Sequence, residues 1–180
     1  MSSRTWWRIS LQRRRKRQLM PCGTRVLLTR KPSTNGAQST CAPPIVMRRI
    51  VLDTNCLLQT LPTNSPYHKI WTGVLCGDIV LCVNTEILIE YEEILAQKTT
   101  REIARNVVEA IARLHTTHFQ ETYIHFGLIE QDVDDNKFVD CAIASDAEYI
   151  VTNDSHFKVL KEIDWPKVAI MTIQEFASQI

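Results

Sequence analysis

From residue 48 onward, short apolar runs that favour strands alternate with longer stretches of helical periodicity. The runs are RRIVLD (48–53), IVLCVN (79–84), TYIHF (122–126), YIVTND (149–154) and VAIMT (168–172). Strands alternating with helices need crossover connections, and crossovers of this kind build a parallel sheet with helices packed on it. The pattern therefore predicts an α/β fold with a mostly parallel central sheet of about five strands.

The intervening stretches supply the helices. SPYHKIWTGVLCG (65–77) opens on Ser65 and Pro66, a cap and first-turn pair, and closes near Gly73 and Gly77. TEILIEYEEILAQKT (85–99) spaces Ile87, Glu90 and Ile94, and also Leu88, Tyr91 and Leu95, at helical intervals. REIARNVVEAIARLH (101–115) does the same with Ile103, Val107, Ile111 and Leu114. DDNKFVDCAIASDA (134–147) puts Phe138, Ala142 and Ile143 on one stripe and begins with two acids suited to a positive helix end. Shorter helices are expected at SHFKVLKEI and IQEFASQI.

Charge divides the chain at Met47. Residues 1–46 hold ten Lys or Arg and no acid; the rest holds eleven basic against twenty acidic residues, a net charge of −9. The first part is Arg-rich, lacks the apolar core of a secretory signal and ends in a Ser/Thr/Pro/Gly cluster. It reads as a disordered basic extension ahead of a natural start at Met47, with an RNA-binding arm or an organelle transit peptide as the functional alternatives. Residues 47–180 read as one domain. The six cysteines show no metal-site spacing and several lie in apolar runs, so they read as reduced thiols of a cytoplasmic protein. No run approaches the roughly 18 apolar residues that cross a membrane.

Ligands of open parallel sheets bind at the carboxyl ends of the strands. Asp53 ends the first strand and Asp154 the fourth, and polar residues follow each: Thr54 and Asn55, then Ser155 and His156. Glu90 interrupts the apolar helix that follows the second strand, and an acid there needs a partner. Asp135 and Asp140 lie near the start of a further helix, with Asn136 and Asp140 on one face. Each acid alone is also explained as a cap or an exposed charge. Four segments bringing acids to one edge is a different matter. With no matching Lys or Arg, carboxylates at short range raise one another's pKa, and a divalent cation relieves this. Oxygen ligands with retained waters suit Mg²⁺ or Mn²⁺.

These residues resemble the PIN domain (PilT N-terminus) family, in its branch of toxin components of toxin-antitoxin systems, the VapC-like ribonucleases. IVLDTNCLL is similar to the family's opening strand and first acid, and NTEILIEYEEIL to its second acid-bearing helix. DVDDNKFVDCAIASDAEYIVTNDSHF is similar to the third and fourth acidic elements, and VAIMTIQEF to the closing strand and helix. The resemblance covers Met47 to Ile180. It implies a three-layer α/β/α sandwich and a metal-dependent nuclease acting on single-stranded RNA, with an antitoxin partner and a homodimer. Carried over by position, the catalytic acids are Asp53, Glu90, Asp135, Asp140 and Asp154, and the metal ligands Asp53, Glu90, Asp140 and Asp154. The pattern departs at the third acid, where Asn136 falls near the usual Asp, between Asp135 and Asp140.

On this reading one or two Mg²⁺ or Mn²⁺ ions activate water toward an RNA phosphodiester. Asn55 and Thr152 orient carboxylates, and Ser155 contacts phosphate or metal-held water. The rival readings are a catalytically silent PIN-fold module that binds protein or RNA, and phosphate-monoester chemistry on an Asp nucleophile. The latter wants a second acid two residues after the first, where this chain has Asn55. The charge of −9 sits poorly with tight RNA binding. Arg101, Arg105 and Arg113 form the one basic helix stripe, a solvated face or an approach for RNA or antitoxin. Of the histidines, His156 alone falls near the acids, as a polar loop residue. Trp71 and Trp165 read as packing residues.

Overall fold

The computed structural model describes residues Met47–Ile180. The expected basic extension, with Trp6, Trp7, Cys22 and Cys41, lies outside them. Five strands, β1 (Arg48–Leu52), β2 (Ile79–Val83), β3 (His118–Phe119), β4 (Tyr149–Val151) and β5 (Ile170–Met171), form one sheet in the order β3-β2-β1-β4-β5. Every ladder is parallel. In β1, Ile50, Val51 and Leu52 are buried in succession, as they must be in a parallel strand covered on both faces.

The strand order reverses at β1. The chain runs outward through β2 to β3, then returns to place β4 on the other flank, with Leu52 beside Val151. Such a reversal opens a crevice at the carboxyl ends of the two strands. The β1–β4 ladder ends there with Asp53 N–H donating to Val151 O at 3.1 Å.

The helices are α1 (Thr54–Thr60), α2 (His68–Cys76), α3 (Thr85–Lys98), α4 (Arg101–Arg113), α5 (Asn136–Ser145) and α6 (Ile173–Ser178), with 3-10 turns at Val133–Asp135 and His156–Lys161. Asn84 caps α3 by accepting from Ile87 N–H at 2.8 Å, and Thr172 with Glu175 forms a reciprocal capping box on α6. The core-facing stripe of α3 is Ile87, Tyr91 and Leu95, which leaves Glu90 beside it rather than on it. Gly77 ends α2 in the left-handed conformation (φ 85°), where a Cβ would stand 2.8 Å from Thr116 Cγ2.

Three sequence expectations are corrected. The third strand is His118–Phe119, not 122–126, and Tyr123, 87% exposed, lies in an irregular stretch. Cys82 and Val83 of β2 pair with only those two residues before the chain leaves the sheet. Asp53 is itself the N-cap of α1. Ser65 does not cap α2; its hydroxyl accepts from Tyr67 N–H in the turn before it. Trp71 is buried as expected, whereas Trp165 is 81% exposed.

The stretch 120–132 has no regular element, yet it is fastened to the body at intervals. Gln120 N–H donates to Val83 O (2.8 Å) and Asn84 Nδ2 to Thr122 Oγ1 (3.2 Å). Phe126 N–H donates to Asp140 Oδ1 (3.0 Å) and Ile129 N–H to Asn136 Oδ1 (2.9 Å). The four free cysteines among the described residues include buried Cys56, Cys82 and Cys141. Burial pushes the Cys56 and Cys141 thiols up to about 12, so they pack as small apolar groups.

Candidate metal centre

Asp53 stands where β1 ends and α1 begins, its side chain almost wholly buried. One oxygen, Oδ1, accepts from Asn55 N–H at 3.2 Å, the N-cap bond; the other, Oδ2, accepts from Thr152 Oγ1 at 2.9 Å. Burial raises its pKa, the two hydrogen bonds lower it, and the charges of Glu90 and Asp154 raise it again; the net shift is upward. Beneath it, buried Tyr91 donates its hydroxyl to Leu52 O, fixing the strand end that carries the acid.

Thr152 also accepts from Asp154 N–H at 2.9 Å, and Asp154 Oδ1 accepts from His156 N–H at 2.9 Å. One hydroxyl thus ties the acids after β1 and β4 together. Asp154 is more open than Asp53, at the mouth of the crevice. Asn55 and Ser155 are exposed. Asn55 reaches Asp53 through its backbone N–H, and Ser155 offers its carbonyl to Lys158 N–H.

Asp135 closes the 3-10 turn before α5. Its carboxyl is pushed up to about 6, first by burial, then by the charges of Asp132, Asp154 and Asp53; only His156 acts in the other direction. His156 Nδ1 lies 3.5 Å from Asp135 Oδ2, 3.4 Å from Asp154 Oδ1 and 3.9 Å from Asp132 Oδ2. These are ion-pair distances, too long for firm hydrogen bonds. Asp135 Oδ2 and His156 Nδ1 are both buried atoms without a hydrogen-bond partner. Donor atoms of Asp132, Asp135 and His156 fall within 4.8 Å of one another. Carboxylates whose charges raise the pKa of Asp135, beside a ring nitrogen without a hydrogen-bond partner, fit a divalent cation.

Asp140 faces elsewhere. Its side chain is 1% exposed, pairs through Oδ2 with His125 Nδ1 at 3.0 Å and accepts Phe126 N–H at Oδ1. Asn136, one turn before it, bonds both Ile129 N–H and Ile129 O. Their shared helix face holds the irregular stretch rather than the crevice. Mutual charge effects tie Asp53 to Glu90 and Asp154, and Asp135 to Asp53, Asp154 and Asp132.

Glu90 does have a partner, contrary to the expectation that no Lys or Arg matches the acids. Lys137 Nζ stands 2.7 Å from Glu90 Oε2, and Thr54 Oγ1 donates to Glu90 Oε1 at 2.6 Å. Sequence reasoning passed over Lys137 and Asp132. Both lie in the acidic run DVDDNK, within three residues of Asp135, which is the signal that would have found them.

The PIN domain family model matches residues 49–156, more than half of the chain. No curated protein sequence matches it. Among solved structures, the chain is similar to VapBC2 from Rickettsia felis bound to a DNA fragment from its promoter. That alignment is 16% identical with a TM-score of 0.48, covering 69% of this chain and 98% of that one. It is also similar to DNA-bound VapBC from Salmonella typhimurium, 23% identical with a TM-score of 0.49, covering 71% and 99%. No helix among the described residues is long and apolar enough to cross a membrane. The family match begins inside β1 and ends at His156, the span that carries every acid around the crevice, and the chain belongs to the PIN domain family.

Proposed function

We propose that the protein is a metal-dependent endoribonuclease acting on single-stranded RNA, the toxin of a toxin-antitoxin pair, working in the cytoplasm as a homodimer. The observation that carries the site is the convergence of Asp53, Asp135 and Asp154 on the crevice where the strand order reverses. Membership of the PIN family supports the nuclease class, and the cellular role and the antitoxin partner are part of the same proposal.

Asp53, Asp135 and Asp154 hold Mg²⁺ or Mn²⁺, with Glu90 on the Asp53 side and Asp132 and His156 on the Asp135 side. When bound, the cation supplies Lewis acidity toward water and a phosphate oxygen. The protein supplies position. Thr152 fixes the angle between Asp53 and Asp154, and Tyr91 and the N-cap bond fix Asp53 on its strand. Such partners commonly govern metal affinity ten- to a hundredfold. Asp140 keeps the stretch that borders α5 in place and takes no part in holding the ion.

The Lys137–Glu90 pair favours the second reading, a catalytically silent binding module, because it occupies one carboxylate. One experiment separates the two: full-length protein with mixed single-stranded RNA, in Mg²⁺ or Mn²⁺ and in EDTA, beside Asp53→Asn and Asp154→Asn. Metal-dependent cleavage lost in both variants supports the nuclease. Intact RNA with no Mn²⁺ binding by calorimetry supports the silent module.

A further inference from the structure

We infer that Lys137 is a built-in cation that holds Glu90 and limits this site to one divalent ion per chain. The inference rests on the metal-site reading above. Nuclease sites rich in carboxylates can take two ions roughly 3.5–4 Å apart, each needing its own share of negative charge. Here the acid on the α3 side is already compensated. Lys137 Nζ and Glu90 Oε2 meet at 2.7 Å, with side chains only 18% and 25% exposed.

Both ends of the pair are held. Thr54, the residue after Asp53, binds the other Glu90 oxygen at 2.6 Å, so the carboxylate cannot swing freely toward a second ion. The ammonium also lies 5.8 Å from the centroid of the Phe138 ring, a cation–π contact with a buried side chain. Lys137 sits in the first turn of α5, two residues after Asp135, and its pair with Glu90 bridges α5 to α3. Among the described residues, it is the only Lys or Arg ion-paired to one of the crevice acids. A second divalent ion on Glu90 would have to displace this ammonium or lie against it, and like charges in a partly dry site repel strongly.

Without Lys137 the crevice regains an uncompensated carboxylate and the vacancy for a second ion. Lys137 is thus a positioning residue whose effect is read in stoichiometry rather than in rate. The test is calorimetric titration of the full-length protein with Mn²⁺, together with electron paramagnetic resonance of the loaded protein. Wild type and Lys137→Arg are expected to bind one equivalent and give the spectrum of isolated Mn²⁺. Lys137→Met, and Lys137→Gln should the first fail to fold, are expected to bind two and give a spin-coupled spectrum. Two equivalents in the wild type, or one in the neutral variants, would overturn the inference while leaving the metal site standing. No binding by the wild type would remove the underlying reading and the inference with it.

Discussion

Thr152 Oγ1 donates to Asp53 Oδ2 at 2.9 Å, across the boundary where β1 and β4 end. The same oxygen accepts the Asp154 N–H, so a single hydroxyl sets the spacing of two acids from segments a hundred residues apart in the chain. Thr152→Val keeps the shape and removes both bonds. The expected result is a ten- to hundredfold loss of Mn²⁺ affinity with a stability change of about 1 kcal/mol. Calorimetry and a denaturant melt in EDTA measure the two effects; unchanged affinity would show that the hydroxyl does not align Asp53.

Asp135 and Asp140 lie five residues apart and should behave in opposite ways. Asp140→Ala leaves Phe126 N–H without its acceptor and should cost about 2–3 kcal/mol while Mn²⁺ binding survives. Asp135→Asn removes a repelled charge and should abolish tight Mn²⁺ binding while the metal-free protein becomes more stable. Loss of metal binding in the Asp140 variant with its fold intact would return that residue to the ion.

The raised carboxyl of Asp135 has a definite sign in stability against pH. Its pKa is about 6 when folded against the ordinary aspartate value of 3.8, so the folded state holds the proton longer. The associated stability is present below about pH 4 and lost as pH rises through about 6, on the order of 2–3 kcal/mol in all. Asp53, also raised, adds a loss of the same sign. Urea unfolding in EDTA across this range, wild type against Asp135→Asn, isolates the contribution of Asp135. A gap between the two that stays constant with pH would contradict the assignment.

Gly77 tests the fold without touching the crevice. Alanine there faces both the left-handed backbone at φ 85° and the Thr116 methyl at 2.8 Å, and should cost about 2 kcal/mol. Mn²⁺ affinity should be unchanged. A melt within experimental error of the wild type would mean that the α2–β2 turn relaxes at no cost.

How far the sequence could be read depends on which contacts are local. That Asp53 and Asp154 share one sheet edge was legible, because Asp53 follows directly on the apolar run of β1, Asp154 comes three residues after β4, and parallel topology sends both strand ends to one edge. The helices were legible by period, with the stripe on α3 blurred because Leu88, Ile89 and Ile94 crowd around Ile87, Tyr91 and Leu95. The choice between Asp135 and Asp140 was not legible. What turns Asp140 away is the backbone N–H of Phe126, fourteen residues distant in a stretch with no periodicity of its own. That stretch also misled the strand assignment, since Tyr123, Ile124 and Phe126 have strand-forming side chains but no neighbouring strand to receive them. Lys137 was hidden for a related reason: its partner lies on another helix, and a lysine beside two aspartates reads as ordinary surface charge.

The fastened stretch between β3 and α5 behaves like a riveted strip rather than a free loop. Its amides at Phe126 and Ile129 should exchange with solvent as two slow islands, while those between and beyond them exchange fast. A protease needs a length of extended chain in its cleft, and each span between rivets is too short to offer one without losing a rivet. Cleavage beside the exposed Tyr123 should therefore be gated by Asp140: wild type is expected to resist chymotrypsin at that bond, and Asp140→Ala to be cut there before anywhere else among residues 47–180. In that sense the acid that turns its back on the crevice acts as the latch of the strip beside it.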